Sequence, residues 1–64
     1  MIGKNIKRLR QEKGISQDKL SKLADTSLNT ISKIELDENP NPTIETVQKI
    51  AGALGVSVEQ LLKI

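Results

Sequence analysis

The chain has 64 residues with no cysteine, no histidine and no Phe, Trp or Tyr; ten basic and eight acidic groups leave a formal net charge of +2. This excludes disulfide staples and thiolate metal sites, and it removes the commonest general base and metal ligand. A chain this short buries only about 60% of its unfolded surface, so its core must be built from Ile, Leu, Val and Ala, and no stretch approaches the ~20 apolar residues of a membrane span.

Ile2, Ile6, Leu9 and Lys13 recur at helical spacing and predict a first amphipathic helix over residues 2–13. Gly14 supplies the left-handed stop that helix ends favour. Ser16 is placed to cap a second helix over 17–24, with Leu20, Leu23 and Ala24 turned inward. Asp25 and Thr26 make a short polar break, and Ser27 caps a third helix over 28–35 whose inner face is Ile31 and Ile34. The run Leu36–Pro42 cannot continue that helix because of its prolines. Thr43 caps a fourth helix over 44–54, burying Ile44, Val47, Ile50, Ala51 and Leu54, and Gly55 ends it. Ser57 and Gln60 have capping-box spacing for a fifth helix over 58–63, burying Val58, Leu61 and Leu62. The expected fold is all-α: a five-helix globule with short connections, occupying residues 1–64 as a single domain.

Charge is unevenly placed. Residues 1–33 carry eight basic and three acidic groups, a net of +5; residues 34–64 carry two basic and five acidic, a net of −3. A basic half suits an anionic partner, although it also suits an ordinary solvated surface. More informative is the pair of short helices separated by about three residues, the helix-turn-helix spacing that can hold a second helix out into a major groove.

The wider sequence carries a resemblance. Ile2-Gly3-Lys4, Ile6, Leu9-Arg10, Lys13-Gly14-Ile15-Ser16-Gln17, Leu20 and Leu23-Ala24 occur in order. Ser27, Thr30-Ile31-Ser32-Lys33-Ile34-Glu35, Pro42-Thr43, Glu45-Thr46, Ile50-Ala51, Leu54-Gly55-Val56 and Leu61-Leu62 continue it. In these pieces residues 2–63 resemble the Cro-like (XRE) family of phage repressors and bacterial regulators. The resemblance implies a lambda-repressor-like fold and sequence-specific binding of double-stranded DNA in the major groove, with helices two and three as the reading unit.

Asn29 and Lys33 sit one turn apart, nearly opposite Ile31. Asparagine can pair bidentately with adenine, and lysine can donate to guanine. Leu28 borders the buried stripe, where it either completes the core or packs on a thymine methyl. In the family, the positions matching Leu28, Asn29 and Lys33 read bases, and the one matching Gln17 clamps the DNA backbone. Ser16 and Ser27 are expected as plain caps or as further backbone contacts at helix starts. Arg10 and Glu35 match a paired position, and they are expected as a structural ion pair tying helix one to helix three.

The loop departs from the family, which often has a small or polar residue at Leu36, glycine at Asp37 and basic groups soon after. Here Glu35-Leu36-Asp37-Glu38 is acidic; Asp37 can take the left-handed conformation, and Asn39, Asn41 and Thr43 can still donate to the DNA backbone. The expected function is a cytoplasmic transcriptional regulator, a repressor, with no catalytic residues, cofactor, metal, membrane or small-molecule ligand. A weak homodimer through Val56, Val58 and Ile64 is expected. The alternative is a protein-binding adaptor or antitoxin-like module of the same fold, favoured if Leu28 and Leu36 lie exposed side by side.

Overall fold

A computed structural model describes residues 2–38 and 42–63. Helix α1 spans Ile2–Glu12, α2 Gln17–Leu23, α3 Leu28–Glu35, α4 Ile44–Leu54 and α5 Val58–Leu62, with no strand among the described residues. The first, second and fifth helices end one residue earlier than their apolar pattern implies, because Lys13, Ala24 and Lys63 serve as closing residues rather than helical ones.

Each helix after the first starts on a hydroxyl. Ser16, Ser27, Thr43 and Ser57 accept from the backbone N–H three residues on, and at α5 the Gln60 side-chain oxygen accepts in return from the Ser57 N–H. Four helices also share one ending. The N–H groups of Ile15, Thr26, Glu38 and Val56 reach back five residues to the carbonyls of Arg10, Ser21, Lys33 and Ala51. Each such closure needs a left-handed residue just before it, filled by Gly14, Asp25, Asp37 and Gly55 with φ of 68°, 52°, 64° and 70°. The two aspartates hold this conformation at a cost that glycine would not incur.

The buried faces converge on Ile6, Leu9, Leu20, Ala24, Ile31, Ile34, Val47, Ile50, Ala51, Leu54 and Leu61. Helix α3 packs against α1 and α2, α4 against α1 and α2, and α5 against α1 and α4. Three apolar positions expected inside are exposed: Leu23, Ile44 and Leu62. On α2 the buried arc runs through Leu20, Ser21 and Ala24, which leaves Leu23 about 100° off its centre. Ser21 can occupy that inner position because its hydroxyl donates to the Asp18 carbonyl at 2.7 Å. Ile44 lies at the first residue of α4, beyond the layer formed by Val47. Leu61 fills the core at α5, which turns Leu62, about 100° away, outward. Val58, with Val56, is half-buried against the core.

Two long-range features fix α1. Gly3 sits against the end of α3: a β-carbon there would collide with the Ile34 carbonyl oxygen and lie 3.3 Å from the Glu35 Cα. Asn5 donates its side-chain amide to the Leu61 carbonyl at 2.9 Å and to the Lys63 carbonyl, satisfying the end of α5.

Candidate nucleic-acid interface

Helix α3 has eight residues, about 12 Å, close to the width of a B-DNA major groove. Ile31 and Ile34 bury one side. The opposite arc carries Leu28, Asn29 and Lys33, all exposed, with Leu28 at 44%. Ser32 lies on the same arc between Leu28 and Asn29, half-exposed. Its place one turn after Leu28 was available in the spacing, so the sequence reading missed a fourth outward residue. The face thus offers one apolar surface, one amide able to donate and accept, one hydroxyl and one cation.

Ser16 and Ser27 stand at the starts of α2 and α3 as helix caps, accepting from the Lys19 and Thr30 N–H groups at 3.0 Å each. Ser27 also shares a 2.7 Å hydrogen bond with the Thr30 hydroxyl. Thr43 caps α4 from an exposed position. Asn39 and Asn41 lie outside the described residues, as does Ile64.

Behind the exposed face lies a charged network. The Arg10 Nε donates to Glu35 Oε2 at 2.8 Å, and Nη2 to Glu35 Oε1 at 3.0 Å. Nη1 donates to the Ile15 carbonyl at 2.9 Å, so the guanidinium also holds the chain leading into α2. The two side chains are only 11% and 3% exposed. Gln17, the first residue of α2, joins the network: its Nε2 donates to Glu35 Oε1 at 3.0 Å. Helices α1, α2 and α3 are therefore pinned at one carboxylate. Burial pushes the Glu35 carboxyl up, but hydrogen bonds from Arg10 and Gln17, with the charges of Arg10 and Lys7, outweigh it and hold the group below the usual carboxylate range. The hydrogen bond to Glu35, opposed by burial, holds the Arg10 guanidinium above its ordinary value. Three of the five guanidinium N–H groups of Arg10 are thus spent inside the protein.

Two other ion pairs, Arg8–Glu12 at 3.1 Å and Lys22–Asp18 at 3.2 Å, each span one exposed helical turn. Pairs of that kind contribute only ~0.3–0.5 kcal/mol. Leu36, Asp37 and Glu38 follow α3 as an exposed segment, Leu36 at 65%. Leu28 and Leu36 mark opposite ends of α3, about 12 Å apart along its axis. Among the described residues no cluster of three His, Cys, Asp or Glu side chains could hold a metal ion, and no helix is long and apolar enough to cross a membrane.

Comparison with known proteins bears on this geometry. Residues 6–61 match the family model described as helix-turn-helix. Over 62 residues the chain is 40% identical to the HTH-type transcriptional regulator SinR of Bacillus subtilis, covering 97% of this chain and 56% of SinR. Over 61 residues it is 34% identical to the immunity repressor protein of Bacillus phage phi105, covering 95% of this chain and 42% of that protein. The chain therefore spans about half the length of these relatives. A crystal structure of SinR, the master regulator for biofilm formation, in complex with DNA superposes with a TM-score of 0.95 at 40% identity, covering 98% of this chain and all of that one.

Proposed function

Because the chain belongs to the helix-turn-helix family, we propose that it binds double-stranded DNA sequence-specifically and acts as a transcriptional regulator, a repressor in the cytoplasm. The observation that carries this reading is the outward face of α3, held rigidly over a core by a buried ion pair. SinR, whose structure was determined on DNA, has the same fold at 40% identity, and the phage relative is a repressor by name.

Leu28, Asn29 and Lys33 read base edges, Asn29 as the bidentate partner of adenine and Lys33 as a donor to guanine. Gln17, Ser16, Ser27 and Thr43, with Asn39 and Asn41 in the loop, set register on the backbone. Residues 1–64 act as one binding unit. One such unit buries about 600–1,000 Å² on DNA, which favours a two-fold pair on a palindromic site. Val56, Val58 and Ile64 supply the apolar groups for that pairing, and Leu62 on α5 adds an exposed side chain. The adaptor alternative needs Leu28 and Leu36 to adjoin, and their separation along α3 speaks against it.

Selection from a random-sequence duplex library tests the reading. Enrichment of a site whose preference is lost in Asn29→Ala is the expected result. Recovery of no enriched sequence, with no retention of duplex DNA at low salt, overturns it.

A further inference from the structure

We infer that Glu35, besides closing the ion pair with Arg10, is the positioning residue for the DNA-backbone contact of Gln17. This rests on the reading above, that Gln17 meets DNA. The geometry runs through one oxygen: Glu35 Oε1 accepts from Arg10 Nη2 and from Gln17 Nε2, both at 3.0 Å. The second oxygen accepts from Arg10 Nε at 2.8 Å, so the carboxylate is held on both sides and cannot rotate away from Gln17.

An ionised carboxylate accepts only, and a guanidinium donates only. The polarity of the Gln17 amide is therefore set: nitrogen toward Glu35, carbonyl oxygen away from it. A flipped amide would put oxygen against oxygen. One N–H of Gln17 is consumed, and the other is left at a fixed orientation on a half-exposed residue. Side-chain freedom that a backbone contact would otherwise remove is already gone before DNA arrives, which strengthens binding without a new contact. Arg10 has a second part in this. It neutralises a carboxylate that stands one side chain behind the phosphate, where an unpaired charge would repel it.

A double-mutant cycle on a random-sequence duplex separates positioning from structural support, since a backbone contact needs no particular site. In the native protein Gln17→Ala should weaken binding about tenfold or more, since a hydrogen bond to a charged group contributes at least about that factor. In the Arg10→Met, Glu35→Leu background, which removes the anchor without leaving an orphan charge, the same change should cost less than about twofold. A tenfold cost in both backgrounds overturns the inference while leaving the DNA-binding reading standing. Failure of the native protein to retain duplex overturns both. A second measurement needs no substitution: in the free native protein the Gln17 side-chain amide should be as ordered as the backbone in ¹⁵N relaxation. A freely reorienting amide there also overturns the inference, whatever the stability of the variants.

Discussion

Replacing Arg10 by methionine removes three donors at once: two to the Glu35 carboxylate and one to the Ile15 carbonyl. Glu35, with a side chain 3% exposed, keeps only the Gln17 amide. Breaking a buried pair by deleting one partner costs about 3–5 kcal/mol. The rim of Arg10 touches solvent, which places the loss near the lower bound, ~3 kcal/mol. Domains of this size shift by about 4–8 °C per kcal/mol, so the melting temperature should fall by about 12–24 °C. With no aromatic residue in the chain, circular dichroism of the helices is the appropriate readout. The pH dependence is a second check. Glu35 is held below its unfolded pKa, so its stabilising effect is fully present above the ordinary carboxylate range. That effect is lost as pH falls through the lower folded value, so the penalty of Arg10→Met should be full at neutral pH and shrink in acid. Adding Glu35→Leu to Arg10→Met should restore most of the stability. An unchanged melting temperature in the single variant, or a penalty independent of pH, would refute the reasoning.

Gly3→Ala should destabilise by about 1–3 kcal/mol in urea denaturation, because its methyl would meet the Ile34 carbonyl backbone, which has no rotamer by which to yield. Asp25→Gly should raise stability by about 0.5–1 kcal/mol by relieving the left-handed strain at the turn between α2 and α3, measured by the same assay. Asp37→Asn combined with Glu38→Lys should tighten binding to all duplexes alike and steepen the salt dependence by about one phosphate, read by titration across salt concentrations. Asn29→Ala should instead leave nonspecific affinity intact and reduce discrimination between sites by about 1–3 kcal/mol.

What could be read in the sequence was mostly local chemistry. Ser16, Ser27, Thr43 and Ser57 bond within their own first turns, and Gly14 and Gly55 close their own helices, so neighbouring residues suffice to place them. Asp25 takes the same left-handed role without a glycine to signal it. The exposed positions of Leu23 and Leu62 depend on which side of a short helix its neighbours cover, and periodicity over seven or five residues does not define that side. Asn29 and Lys33 could be placed because a helix's outward face follows from its buried one. The hydrogen bond between Gln17 and Glu35 joins residues 18 apart, and Asn5 reaches 56 residues to Leu61. Such links follow from packing and leave no mark in spacing.

The bonds from Asn5 also bear on the order in which the chain folds. A helix of five residues is far below the length that sustains itself in water. Its capping box settles only its start, and its last carbonyls are met by an amide carried on α1. Helix α5 therefore depends on α1 for the satisfaction of its last turn, and it is expected to form as the core closes rather than before it. In hydrogen exchange, the α5 amides should open at the lowest free energy of any helix, and removal of the Asn5 side chain should release them while α2 and α3 stay closed.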